Sequence, residues 1–230
     1  MTSAAPSSSG SRTFILIAAL VAVLLVGAAG GMLINSARSG ADDAFPSAES
    51  VDVGFAHDMR VHHLQAVTMA GIERDKTADP VLRGFAFDVE STQLAQSSEM
   101  AGWLTVWGHP QLPEAGAPYM QWMSENGTHT HSNGEGGTTT GPVQRMPGMA
   151  TTEELNKLRT LTGKELDVFF LQLMLRHHVG GLEMAQYAAD HAAKGYVRNL
   201  ADKIVQSQES ETNLMKSYLA ERGAQPLPFP

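Results

Sequence analysis

The chain has 230 residues, 43% of them hydrophobic and 17% charged, which supplies a sizeable core and excludes a disordered or collagen-like chain. Its formal charge of −8 argues against nucleic acid as a partner, because phosphate binding needs a basic face. With 12 Met, 9 His and no Cys, a disulfide framework, a zinc ribbon and a thiolate nucleophile are excluded, leaving imidazole, thioether and carboxylate as side-chain donors to a metal.

At the N-terminus, Phe14 to Ile34 runs 21 residues without a charge, the length that about 20 helical residues need to cross the hydrocarbon core of a bilayer. Residues 1–38 are therefore expected to form a transmembrane anchor. The alternative is a secretory signal cleaved near Gly27, Ala28 and Ala29. Arg12 and Arg38 nearly balance across the span, whereas the chain beyond position 39 holds 14 basic and 24 acidic residues. The expected topology is single-pass, with the bulk of the chain extracytoplasmic, or secreted if the segment is cleaved. Residues 39–46 read as a linker.

Residues 47–224 contain an internal repeat with an offset of 115. Asp52, Phe55, Met59, His62, His63, Ala66, Met69 and Ala70 recur as Asp167, Phe170, Met174, His177, His178, Gly181, Met184 and Ala185. The same offset carries Val89, Gln93 and Met100 onto Ile204, Gln208 and Met215. Each copy, 52–108 and 167–223, reads as a helical hairpin. The first helix is expected from about Ser47 to Asp75, and Asp79-Pro80 supplies an N-cap and a first-turn proline for the second.

Between the copies, residues 109–150 are rich in Gly, Pro, Thr and Ser, and Asn126–Gly141 reads as a loop. This linker also carries Met120, Met123, His129, His131, Met146 and Met149. Thr151 with Glu154 forms a capping box for a short helix over 151–161. Thr162 with Glu165 forms another, opening a helix to about Gly195, and its partner runs from Tyr196 to Arg222. Neither hairpin can bury its amphipathic faces alone, so the expected fold is all-α, an antiparallel four-helix bundle.

On a helical wheel Phe55, Met59, His62, His63, Ala66 and Met69 fall within an arc of about 120°, the width of a core-facing stripe. The second copy repeats this with Met174, His177, His178, Gly181 and Met184. A single inward Met is most often core filler, and a single inward His a hydrogen-bonded core residue. Four imidazoles in one interior are costly to bury unless bonded or ligated. Gln93, Gln208 and Glu211 share the facing arcs and are expected to orient the imidazoles. His57, His109 and His191 read as structural, surface or loop residues.

Di-iron carboxylate bundles use Glu-x-x-His. Here Met59 and Met174 stand three residues before His62 and His177, so a thioether replaces the hard ligand. That donor set favours copper, with zinc possible through the imidazoles alone.

The duplicated Phe-x-x-x-Met-x-x-His-His-x-x-[Ala/Gly]-x-x-Met pattern, with Met146-Pro147-Gly148-Met149-Ala150 ahead of the second copy, resembles the "domain of unknown function 305" family of secreted bacterial proteins. The resemblance covers about 50–223. It implies a ferritin-like bundle of two hairpins, a functional His-His motif, and in some members copper binding outside the cytoplasm. By motif position the metal residues would be His62, His63, His177, His178, Met59, Met69, Met174 and Met184. The expected function is extracytoplasmic copper sequestration. The alternatives are a ferritin-like metallo-oxidoreductase, which would need more inward carboxylates, and a structural or interaction module of the envelope. No phosphate loop or nucleophile motif stands out.

Overall fold

The computed structural model describes residues 24, 27–31, 45–123, 130–132 and 138–228. The chain divides into two units, Met1–Phe45 and Pro46–Pro230. In the first, Leu24 and residues 27–31 are helical, and the rest of the expected Phe14–Ile34 span lies outside the described residues. Among the described residues no helix is long and apolar enough to cross a membrane.

The described residues of the second unit are mainly α-helical, with one short ribbon, an isolated bridge between Tyr119 and Val143 and a 3-10 turn at Gln121–Met123. Its helices are α1 (Val51–Lys76), α2 (Pro80–Val106), α3 (Thr152–Thr160), α4 (Gly163–His191) and α5 (Gly195–Glu221). In the stretch expected as a loop, β1 (Thr130–Ser132) and β2 (Thr138–Thr140) pair antiparallel, Thr130 opposite Thr140. The β-branched threonines favour that extended pairing.

Local chemistry sets the helix ends. Residues 47–50 form a turn, Ser50 N–H to the Ser47 carbonyl, so α1 starts at Val51 rather than at Ser47, with the Ser50 hydroxyl accepting from Val53 N–H at 3.3 Å. Asp79 caps α2 by accepting from Val81 and Leu82 N–H, with Pro80 in its first turn. Thr151 and Glu154 close a reciprocal capping box on α3. The box expected at Thr162 does not form: no side-chain bond caps α4. Gly163 follows in left-handed backbone, φ +57°, so the chain does not enter α4 along the path a capping box uses.

Consecutive long helices run antiparallel. His57 on α1 bonds the Pro110 carbonyl beyond α2, His63 bonds Gln96, and Arg74 pairs with Glu90. Across α4 and α5, His178 bonds Glu211 and Gln172 donates to the Gln225 carbonyl. The hairpins join through their first helices by a repeated device. Asp52 of α1 accepts from Ala193 and Lys194 N–H in the α4–α5 turn, at 3.0 and 2.8 Å. Asp167 of α4, the same repeat position, accepts from the Thr77 hydroxyl in the α1–α2 turn at 2.8 Å. The pairing is therefore reciprocal, as two copies of one sequence related by a pseudo-twofold would make it.

The core forms two clusters. One gathers Phe55, Met59, Met100, Leu104, Met184 and Ile204; the other gathers Met69, Val89, Phe170, Met174, Met215 and Leu219. Each takes its methionines from both repeats: Met59 and Met100 join Met184, while Met174 and Met215 join Met69. The linker adds Met120, Met123 and Met146 to the first cluster. Asp58, 5% exposed, anchors that addition by accepting from Met120 N–H at 2.7 Å and Trp122 Nε1–H at 2.8 Å. Burial pushes its carboxyl up to about 6, against the two hydrogen bonds.

Residues 146–151 lie as a strap against α1 and α4. Gly148 has φ +77°, and a methyl there would come within 2.5 Å of the Arg176 carbonyl oxygen; a methyl on Gly180 would collide with the Pro147 carbonyl. Two glycines thus let backbone rest on backbone. The Gln65 amide clamps Ala150, donating to its carbonyl at 3.0 Å and accepting from its N–H at 2.7 Å. Arg176 holds Glu154 through two bonds of 2.9 and 2.5 Å. Gly180→Ala is expected to cost about 1–3 kcal/mol by overpacking and to open 141–150 to protease. Gly84→Ala, at an α2 position with nothing within 4 Å of the added methyl, should be neutral or stabilising by about 1 kcal/mol. Urea melts and limited proteolysis of both variants check this.

Candidate metal centre

His62, His63, His177 and His178 are all fully buried midway along α1 and α4. The repeat puts both pairs on the interior stripe, so His62 of α1 meets His177 of α4 while His63 turns to Gln96 of α2 and His178 to Glu211 of α5. The rings of His62 and His177 stack across the pseudo-twofold with centroids 3.7 Å apart and planes 32° from parallel. Gly181 makes room for this: a methyl there would lie 2.9 Å from His62 Cε1 and 3.1 Å from Gln208 Oε1.

Three of the rings are oriented through Nε2. His63 Nε2 faces Gln96 Oε1 at 2.7 Å, His178 Nε2 faces Glu211 Oε2 at 2.5 Å, and His177 Nε2 faces the His62 carbonyl at 3.0 Å. Each partner oxygen can only accept, so Nε2 carries the proton and donates. In a neutral ring the lone pair then resides on Nδ1. The Nδ1 atoms of all four histidines, and Nε2 of His62, are buried without a hydrogen-bond partner.

The surroundings keep His62, His63 and His177 neutral. Burial holds His62 down at about 3, helped by the neighbouring His63 and His178, with the Pro147 carbonyl opposing slightly. Burial likewise holds His63 down at about 4, against the bond to Gln96. His177 is held well below the ordinary range by burial and then by the other three rings. At neutral pH these three are unprotonated imidazoles, the form that binds metals.

Gln93 and Gln208 stand beside the layer, 3% and 2% exposed, and neither amide has a hydrogen-bond partner. Of the three residues expected to orient the imidazoles, Glu211 bonds a ring and Gln93 and Gln208 do not; Gln96, which the 115-residue offset relates to Glu211, bonds His63. Met59 and Met184 lie in one core cluster, Met69 and Met174 in the other, all fully buried. The structure thus brings the four histidines together and sets the expected methionines in two separate groups.

Outside this layer, His57 bonds the Pro110 carbonyl and His109 the Pro46 carbonyl. His191 is the last residue of α4, stacked on Tyr187 at 4.2 Å, so it is helical rather than a loop residue. His129 lies outside the described residues, and His131 is described only as backbone of β1. The strap glycines Gly148 and Gly180 carry no periodic signal in the sequence; only the Met146-Pro147-Gly148-Met149-Ala150 segment marks the first of them.

Among the described residues no three His or carboxylate groups surround one point in ligating arrangement. The fit to a soft or borderline metal rests on donor chemistry: neutral imidazoles with unpartnered Nδ1 atoms, thioethers in the adjoining core, and ring N–H groups bonded to an amide and a carboxylate. Buried polar atoms in native proteins almost always have partners, and each orphan costs about 1–3 kcal/mol. A cluster of them is where a bound ion would restore the balance.

The family profile "Domain of unknown function (DUF305)" matches residues 52–219. No curated protein matches the chain. Among solved structures, a DUF305 protein from Streptomyces coelicolor is 44% identical over 79% of this chain and 99% of its own, with a TM-score of 0.67. A DUF305 fragment from Deinococcus radiodurans is 28% identical over 74% of this chain and 96% of its own, with a TM-score of 0.58. CopM, solved in a Cu(I)-bound form, is 21% identical over 74% and 96%, with a TM-score of 0.54; it shares the fold.

Proposed function

Because the chain belongs to the DUF305 family, we propose that it is an extracytoplasmic metal-binding protein that sequesters copper at its buried histidine layer. The observation that carries this reading is the set of buried Nδ1 atoms without partners, on rings whose Nε2–H groups are already committed. His62, His63, His177 and His178 would offer Nδ1 to the ion. Met59 and Met184 on one side, and Met69 and Met174 on the other, would offer thioether sulfur. Copper bound there would be held as a closed-shell or ligand-saturated ion, which suits storage and transfer.

Two findings on relatives support the metal and the compartment. CopM has been solved with Cu(I), Cu(II) and Ag bound, and the Streptomyces relative is designated a secreted protein. In this reading α1, α2, α4 and α5 form a ferritin-like antiparallel four-helix bundle. The uncharged Phe14–Ile34 segment tethers it to the cell membrane or is cleaved on export. The His and Met residues of 109–150 pass metal to or from the layer.

An anaerobic Cu(I) titration of the full chain against a chromophoric chelator tests it, with Zn(II) run alongside. The protein is expected to withdraw Cu(I) from the chelator in a defined ratio and to bind Zn(II) less tightly. No withdrawal of Cu(I) would overturn the assignment.

A further inference from the structure

The two halves of the histidine layer differ in the group that holds their second ring. The 115-residue offset that superposes His63 on His178 places Gln96 on Glu211, and these side chains make the same hydrogen bond to the same ring nitrogen, at 2.7 and 2.5 Å. One half therefore ends in an uncharged amide and the other in a carboxylate. Glu211 is the partly exposed member of its pair, its side chain 22% exposed against 0% for His178. Gln96 is likewise half-buried. Resting on the metal-layer reading above, we infer that Glu211 is the specificity-determining residue of this site: it biases the α4–α5 half of the histidine layer towards a divalent cation over a monovalent one, a bias that Gln96 does not supply in the other half.

The physical reason is charge compensation in a dry interior. A divalent cation among neutral imidazoles, amides and thioethers brings two uncompensated charges into low dielectric, and a monovalent ion brings one. A carboxylate held at a fixed place one ring away attracts the two in proportion to their charge. The free energy it contributes to a divalent ion is thus about twice that for a monovalent ion, and the fold-effect on affinity is its square. Through the bonded imidazole it also raises the donor strength of the opposite ring nitrogen. Gln96 orients its ring equally well but supplies neither effect.

Zn(II) and Ag(I) are the probes, because neither changes oxidation state in the assay. Removing a partner of this kind lowers metal affinity by about 10–100-fold. Glu211→Gln should therefore weaken Zn(II) binding by about that factor and Ag(I) binding by its square root, about 3–10-fold. This substitution keeps the hydrogen bond and the volume, and it copies a residue the other half already uses. Gln96→Glu on the native background should strengthen Zn(II) binding, and the exchanged pair Gln96→Glu with Glu211→Gln should restore Zn(II) affinity to near the native value. Equal losses of Zn(II) and Ag(I) in Glu211→Gln, or failure of the exchanged pair to restore Zn(II), would overturn the inference while leaving metal binding intact. If the native chain binds neither ion, the histidine-layer reading falls and takes this one with it.

Discussion

Replacing His62 and His177 together by leucine is expected to lower Cu(I) affinity by more than about 100-fold while raising the stability of the metal-free protein. The two effects have one origin. These rings stack on each other in a fully buried site, the Pro147 carbonyl approaches His62 without closing a hydrogen bond of good geometry, and His177 has none at Nδ1. Burying a polar atom without a partner costs about 1–3 kcal/mol. Exchanging buried polar groups for apolar ones of similar volume is often neutral or stabilising. A histidine pair kept only for packing would behave differently: its loss would leave a cavity, cost stability and leave metal binding unchanged. Urea unfolding without metal and chelator competition with Cu(I) separate the cases, and a less stable variant with unchanged Cu(I) affinity would refute the account.

The second large effect is on the pH dependence of the metal-free protein. His62, His63 and His177 have native values below their unfolded value of about 6.5, so the unfolded chain binds more protons and stability is lost as pH falls below 6.5. At pH 5 each ring costs about 2 kcal/mol, at 1.36 kcal/mol per pH unit, however far below 5 its native value lies.

Two buried carboxyls act in the opposite sense. Glu73, fully buried, is pushed up to about 8, by burial first and then by the charge of Asp167. Asp58 is pushed up to about 6 by burial. Their native values exceed the unfolded ones, so they lose stability as pH rises and regain it on acidification. From pH 7 to 5, Glu73 returns about 3 kcal/mol and Asp58 about 1 kcal/mol. Against about 6 kcal/mol for the three rings, the native protein should lose about 2 kcal/mol between pH 7 and 5. Glu73→Gln removes the larger offset, so that variant should lose about 5 kcal/mol over the same interval. Urea melts at the two pH values decide the matter. A native protein that gains stability on acidification would show that the rings are not held neutral as described, and a Glu73→Gln variant with the native slope would show that the Glu73 carboxyl is not held up by burial.

Much of the architecture was legible because the chain states it twice. A fixed offset of 115 residues carries the hairpins, the interior stripe and the reciprocal Asp52 and Asp167 contacts. It also equals the sequence separation of the two stacked rings, His62 and His177. The orienting residues were less legible. Gln93 and Gln96 lie on one face of α2 a single turn apart, and which of them meets His63 is set by the register of α1 against α2, which a wheel does not contain. Glu73 illustrates another limit: in the last turn of an amphipathic helix a glutamate reads as solvated, and only the approach of α4 with Asp167 buries it. The strap escaped for the same reason, because the contact between Gly148 and Gly180 is between backbones distant in sequence and leaves no periodic trace. At Thr162 a motif matched but its geometry did not, because Gly163 turns the chain through a left-handed residue.

With Nε2 committed to donation, His63, His177 and His178 are expected to present Nδ1 to a metal. Long-range proton–nitrogen NMR of the histidine rings in the full chain, before and after Ag(I), tests it most directly. Acceptor-type Nδ1 signals are expected for His63 and His177 in the metal-free protein, and on loading a large shift of Nδ1 with Nε2 still protonated. Loading that moves the Nε2 signals of these rings, or moves no ring nitrogen of the four histidines, would contradict it.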